Sequence, residues 1–281
     1  MTTRIDTTSP LMAPPSDDPA AGARRPPRFL EIGNGTDQRQ IAYLLDPRGD
    51  TALLWLGGYG SDMRGLKAER LDQLSADLDL TFCRFDYSGH GESSGAFADG
   101  TITRWTDEAE TVAEAVSGTR LILAGSSMGA WIALRLIQRL RASGRGGRLG
   151  GLLLLAPAPD FTRRLVEPEL TEEQRHDLGE KGFCTEPSLY TTEPTIYTRA
   201  LIEDGRCNLV MDDLIETGCP IHIIQGMMDA DVPYRHALDL LAQLPADGVV
   251  LTLVRDGDHR LSRPEDLRRM EDAVRGLATS A

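Results

Sequence analysis

A chain of 281 residues, 41% of them hydrophobic, is long enough to bury one large α/β core carrying an insertion, or two small domains. Its net charge of −13 argues against a polyanion-binding surface or capture by an anionic membrane, so no nucleic acid and no stable membrane insertion are expected. The longest apolar runs, such as Leu152 to Ala158, are far too short to span a bilayer.

Residues 1–28 are rich in Thr, Pro, Ala and Asp and read as a disordered tail. They contain no apolar core of a secretory signal, and Asp6, Asp17 and Asp18 argue against an acid-poor mitochondrial presequence. Cys83, Cys184, Cys207 and Cys219 form no C-x-x-C pair, so neither a disulfide framework nor a zinc site is expected, and a reducing cytoplasmic location fits best. From Phe29 the pattern predicts an opening antiparallel pair, Phe29–Gly33 and Gln40–Leu45, turned at Asn34-Gly35. Strands follow at Thr51–Leu56, Leu80–Tyr87, Arg120–Ser126, Gly151–Ala156, Pro220–Gly226 and Val249–Val254. Between them lie helix stripes through Leu66, Leu71 and Leu74, through Trp105, Ala109, Val112 and Val116, and at Tyr234–Leu244 and Pro264–Leu277. This alternation predicts a mainly parallel sheet with helices on both faces. Pro159–Gly218 breaks it, with charged helix patterns at Glu167–Lys181 and Thr195–Asp204 and no buried strand. Residues 159–218 are too long for a plain loop and read as a lid dividing a core of residues 29–158 and 219–281.

The stretch that carries chemistry is Gly125-Ser126-Ser127-Met128-Gly129. A short apolar run enters it, and Trp131, Leu134, Ile137 and Leu140 leave it at helical spacing, with Arg135, Gln138 and Arg139 between them. A Gly-x-Ser-x-Gly between strand and helix is a nucleophile elbow, with Ser127 at its apex and glycines where side chains would collide. A serine hydroxyl needs a base, and the base needs a carboxylate to hold its tautomer. Five histidines are available. His176 falls on a charged helix, His222 inside a strand and His236 on a surface helix. His90 and His259 both follow strands, where the ends of a parallel sheet build sites; His90 precedes the serine, whereas elbow hydrolases place acid and then base after it, which favours His259. The acid should follow the strand Pro220–Gly226, where Asp229 is favoured over Asp231, an acid near the next helix N-terminus. Backbone donors for an oxyanion are expected at Met128, the residue after the serine, and at Tyr59 in the loop Gly57-Gly58-Tyr59-Gly60-Ser61.

Gly57-Gly58-Tyr59, the run from Arg84 to Ser93, the elbow, Gly226-Met227-Met228-Asp229 with Val232-Pro233, and Asp258-His259-Arg260 stand in the order of the α/β-hydrolase superfamily, which the chain resembles from about Leu45 onward. Lys181-Gly182 and Pro187-Ser188-Leu189-Tyr190 are similar to one branch of it, mitochondrial acyl-protein thioesterases that also cleave acyl glucuronides. Met128 and Ala130 stand where that branch more often has Leu and Gly, and the N-terminus departs from its presequence. The resemblance implies an α/β-hydrolase fold with Ser127, Asp229 and His259 as the triad, and oxyanion donors at Tyr59 and Met128. It implies ester or thioester hydrolysis through an acyl-enzyme, on a small-molecule or acylated-protein substrate, with no metal or organic cofactor. Phe183, Tyr190 and Tyr197, with Leu189, Ile196 and Leu201, are the expected walls of an acyl cleft. The competing readings are C–C bond hydrolysis or perhydrolysis on the same fold, and a non-catalytic binding module.

Overall fold

The computed structural model describes residues 25–116, 118–188 and 192–279. Ten strands are found among them: β1 Arg28–Ile32, β2 Arg39–Asp46, β3 Thr51–Leu56, β4 Thr81–Phe85, β5 Arg120–Ser126, β6 Leu149–Leu155, β7 Phe183–Glu186, β8 Thr195–Thr198, β9 Ile221–Gly226 and β10 Val249–Val254. The helices are α1 Leu66–Asp77, α2 Ile102–Ala115, α3 Met128–Ala142, α4 Glu167–Glu169, α5 Glu172–Glu180, α6 Arg199–Arg206, α7 Tyr234–Ala242 and α8 Pro264–Thr279. Eight strands form one sheet in the order β1-β2-β4-β3-β5-β6-β9-β10. β1, β2 and β4 pair antiparallel; every pair from β4 to β10 is parallel. The expected mainly parallel sheet with helices on both faces is therefore present.

The central strands are apolar on both faces because both faces are covered. On one side Leu53, Trp55, Ile122, Ala124 and Leu153 pack under α1 and α8. On the other, Ala52, Leu54, Leu56, Leu121 and Leu123 pack under α2, α3 and α7. Helix α3 is buried beyond the predicted stripe. Trp131, Leu134, Ile137 and Leu140 are inaccessible or nearly so, and Ile132, Ala133 and Leu136 are buried with them. The reason is tertiary: the segment between β6 and β9 covers the face that a surface helix would turn to water. Trp131 Nε1 donates to the Asn208 carbonyl, and Val210, Met211 and Ile215 join the α3 core. Asp160, wholly buried, pins that segment by accepting the Val210 and Met211 N–H groups at 2.9 Å each.

Three local expectations are corrected. The pattern at Thr195–Asp204 is a strand, β8, followed by α6: Thr195-Ile196-Tyr197-Thr198 is β-branched and aromatic, pairs antiparallel with β7, and ends where the Thr198 hydroxyl caps α6 by accepting the Leu201 N–H. The pattern at Glu167–Lys181 is broken by a capping box at Thr171 and Gln174, so α5 starts anew after α4, itself preceded by a π-helical turn at Thr162–Val166. The Asn34-Gly35 turn is a longer loop containing a 3₁₀ turn at Gly35–Asp37. Of the expected tail, residues 1–24 lie outside the described residues. Arg25 forms ion pairs with Asp46 and Asp72, and β1 begins at Arg28.

One buried ion pair ties the helical layer to the loop after β4. Glu108 on α2 is wholly buried; it accepts from Arg39 Nε on β2 and, at 2.9 Å, from the Ser88 N–H. Burial raises its carboxyl from the usual range, and the Ser88 and Arg39 donors oppose that rise. Without Glu108, the buried Arg39 would keep Asp37 as its ion-pair partner, at 2.9 Å, and the Ser88 N–H would lose its acceptor. Glu108→Ala is expected to lower unfolding free energy by about 3–5 kcal/mol in urea titrations, and a loss within experimental error would show that Arg39 is solvated without it.

Candidate active site

Strand β5 delivers Ser127 to the carboxyl edge of the sheet. Ser127 has φ 54° and ψ −118°, a left-handed conformation that costs a non-glycine residue free energy and projects its side chain off the turn. A Cβ on Gly125 would stand 2.5 Å from the Gly129 carbonyl oxygen, and one on Gly129 would stand 2.1 Å from the Leu56 carbonyl. The second collision is with the end of β3 rather than across the turn, so Gly129 is small for the sake of the neighbouring strand. Backbone bonds lock the elbow to β6: Ser127 N–H donates to the Leu155 carbonyl at 2.9 Å, and Ala158 N–H donates to the Ser127 carbonyl at 3.2 Å.

Strand β9 brings Asp229, and the loop after β10 brings His259. His259 Nε2 lies 3.1 Å from Ser127 Oγ, and its Nδ1 lies 2.8 Å from Asp229 Oδ2. The three residues, 132 and 30 positions apart in sequence, thus form one hydrogen-bonded chain. Asp229 Oδ1 accepts the N–H groups of Asp231 and Val232, which aims the other oxygen at the imidazole. Asp231 is exposed and takes part through its backbone. Gly226 lets the histidine loop approach: a Cβ there would stand 2.4 Å from the Gly257 carbonyl. Lys67 of α1 donates to the Arg260 carbonyl at 2.6 Å and so holds the residue after His259. Burial, and secondarily Arg260, pushes the Lys67 ammonium down to about 8. Its 193-residue separation from Arg260 left no sequence signal. Asp229, Asp231 and His259 also bring three potential metal-ligand atoms within 4.8 Å, but both His259 nitrogens and both Asp229 oxygens already have hydrogen-bond partners within the protein.

The loop after β3 lies against the elbow. A Cβ on Gly58 would stand 3.3 Å from the Ser126 carbonyl and 3.5 Å from Ser127 Cβ, which sets Tyr59 beside the serine. Met128 is the first residue of α3, so its N–H is one of the helix's unpaired N-terminal donors. The Tyr59 ring packs edge-on to Phe97, with centroids 4.8 Å apart, and stacks on Tyr197 of β8 at 5.9 Å. Its hydroxyl donates to the Ile196 carbonyl, and burial raises its pKa well above the ordinary phenol, so it stays a donor. Of the expected acyl-cleft residues, Tyr197 thus meets the loop beside Ser127. Phe183 pairs with Thr198 at the far end of the β7–β8 hairpin, and Tyr190 and Leu189 lie outside the described residues. A groove of about 300 Å³ includes Arg164, Leu165 and Pro233, close in sequence to Asp229. Another of about 290 Å³ runs along α5 and α6, and neither is lined by Ser127, Phe183 or Tyr197.

A model described as the alpha/beta hydrolase family matches residues 48–270. The chain belongs to that family. Among curated proteins it is 28% identical over 278 residues to the mouse mitochondrial palmitoyl-protein thioesterase ABHD10, covering 92% of this chain and 91% of that one. Among solved structures, an Agrobacterium vitis S4 protein described only as a hydrolase is 55% identical, with a TM-score of 0.86 and coverage of 90% of this chain and 100% of that chain. Mouse alpha/beta hydrolase domain-containing protein 10 is 27% identical with a TM-score of 0.78, covering 89% and 97%. These likenesses bear out the fold and the family resemblance read from the motifs. No helix among the described residues is long and apolar enough to cross a membrane.

His236 is corrected by its surroundings, and His90 has a structural role there. His236, expected on a helix surface, is buried with Nε2 2.8 Å from the Pro159 carbonyl. His90 is buried and spends both nitrogens on backbone: Nε2 accepts the Gly60 N–H at 3.1 Å, which leaves Nδ1–H to donate to the Ser88 carbonyl at 3.2 Å. It therefore anchors the Tyr59 loop. Asp86 does the same for the next turn, accepting the Met63 and Glu92 N–H groups at 2.6 and 2.8 Å, with burial raising its carboxyl to about 6. Burial pushes the His90 imidazole down to about 4, with the Ser88 bond opposing. Below the ordinary 6.5 the unfolded chain binds a proton that the folded chain refuses, so this residue costs stability as pH falls from 6.5 to 4. His90→Gln is expected to flatten the pH dependence of urea-unfolding free energy across that window by up to about 1.4 kcal/mol per pH unit. Identical slopes for variant and parent would show that His90 is already protonated.

Proposed function

We infer that this chain is a serine hydrolase that cleaves carboxylic esters or thioesters through an acyl-enzyme. One observation carries the reading: the hydrogen-bonded line from Asp229 through His259 to Ser127, ending on a serine held at positive φ. His259 Nε2 takes the hydroxyl proton as Ser127 Oγ attacks the carbonyl carbon. Asp229 keeps the second imidazole proton on Nδ1 and balances the charge of the imidazolium. The tetrahedral oxyanion is received by the N–H groups of Tyr59 and Met128. His259 then gives its proton to the departing alcohol or thiol, and water repeats the sequence on the acyl-serine, releasing the acid.

The names of the ABHD10 relatives, palmitoyl-protein thioesterases, support an acyl chain as substrate. The segment of residues 159–218, carrying β8 with Tyr197 stacked on Tyr59, supports its assignment as a lid over the site. The stacking of Tyr197 on Tyr59 supports its place in the proposed acyl path, for which Phe183 and Tyr190 are further candidates. Cys83, Cys184, Cys207 and Cys219 are free thiols, which fits a reducing compartment; the setting proposed is cytoplasmic, whereas the ABHD10 relatives are named mitochondrial.

Ser127→Ala is expected to remove hydrolysis by a factor on the order of a million while leaving the melting temperature within a few degrees. A serine-directed phosphonate should label Ser127; labelling of Ser126 instead would overturn the elbow assignment. Asp229→Asn is expected to cost on the order of ten-thousand-fold in kcat, and Asp231→Asn far less; the reverse order would transfer the acid's role to Asp231.

Each methylene of substrate taken from water contributes about 0.8 kcal/mol. kcat/KM should therefore rise with acyl length before a cutoff, with thioesters cleaved at least as fast as matching esters. A flat or falling response across a short-to-medium acyl series would move the substrate to small polar esters.

A further inference from the structure

Gln225, the penultimate residue of β9, is wholly buried. Its Nε2 lies 3.0 Å from Asp229 Oδ2, 2.9 Å from the Gly226 carbonyl and 3.1 Å from the Val232 carbonyl. Its Oε1 is buried without a hydrogen-bond partner. The orientation of the amide follows from this census: turned over, it would set Oε1 against three oxygens. A buried acceptor left unpaired is unusual and calls for a reason elsewhere in the side chain.

The reason lies at Asp229. Its carboxylate has two oxygens and about four acceptor directions. Asp231 N–H and Val232 N–H take Oδ1; His259 Nδ1–H and Gln225 Nε2–H take Oδ2. With every direction filled by a donor, rotation about the Cβ–Cγ bond breaks bonds on both sides. Protonation of the carboxylate would replace a donor contact with a clash of hydrogens. Without Gln225, Oδ2 would keep His259 as its one side-chain donor, and only the Asp231 and Val232 N–H groups on Oδ1 would resist rotation of the carboxylate.

We propose that Gln225 is a positioning residue for the hydrolytic reaction: it holds the ionised Asp229 carboxylate in the plane that keeps His259 Nε2 aimed at Ser127. The inference rests on the triad reading above. Sequence gave no signal for it, because a glutamine at the end of an apolar strand reads as a polar strand end.

The test is a double-mutant cycle on the full chain, read by hydrolysis of an activated short-chain ester and by the rate of phosphonate labelling. Gln225→Met keeps length and bulk but removes the donor. It is expected to lower kcat and the labelling rate roughly 10- to 100-fold, the usual cost of losing an orienting partner, with KM unchanged. In an Asp229→Ala background the same substitution should have no further effect, since its action passes through the carboxylate. Gln225→Leu, which also lacks a donor, should reproduce the loss and decides the matter if the methionine variant does not fold. Parental rates in either folded variant, or equal losses with and without Asp229, would overturn the positioning role. Parental rates in Asp229→Ala alone would instead overturn the triad itself, so the two failures are distinct.

Discussion

Ser127 sits at φ 54° and ψ −118°, and the surrounding chain is shaped to keep it there. That conformation is sterically costly for any residue with a side chain and persists only when neighbours over-determine it. Here they do so from three sides. β6 fixes the elbow through the Leu155 carbonyl, β3 closes on it where Gly129 leaves no Cβ, and α3 starts immediately with a core of Trp131, Leu134 and Ile137. The same constraint exposes Oγ at the sheet edge and leaves the Met128 N–H without a helical partner.

Everything else at the edge converges on that point through loops held by buried polar groups. The Tyr59 loop hangs from His90, the turn after it from Asp86, and the histidine loop from Gly226 and Lys67. Buried polar groups require such partners. His90 is the clearest case. Its desolvated imidazole disfavours the charged form, which makes it a steady acceptor for Gly60 and a poor base.

The segment between β6 and β9 is joined to the same machinery. Asp160 anchors its far end by two backbone N–H groups, and Asn208 bonds to Trp131 and Thr103. Tyr59 links its β8 strand directly to the loop beside Ser127. A shift of β8 would therefore be felt at the Tyr59 backbone, which supplies a proposed oxyanion donor.

Local chemistry in the sequence carried the parallel sheet, the elbow and the identity of its glycines. Apolar runs this short, bounded by turns, fit buried strands better than helices, and a serine between two glycines at a strand–helix junction has few other uses. Chain order and strand ends singled out His259 and Asp229, which the fold brings within hydrogen-bond reach. Tertiary structure alone decided the rest. Thr195–Thr198 is a strand because β7 is there to pair with it, α3 is buried beyond its apolar stripe because the insertion covers it, and His236 is inside because Pro159 offers it a carbonyl. Lys67, His90 and Gln225 act through contacts with backbone or carboxylate groups whose positions depend on the folded chain. Periodicity reports which face of an element is apolar; it holds no record of which distant carbonyl will stand opposite a polar side chain.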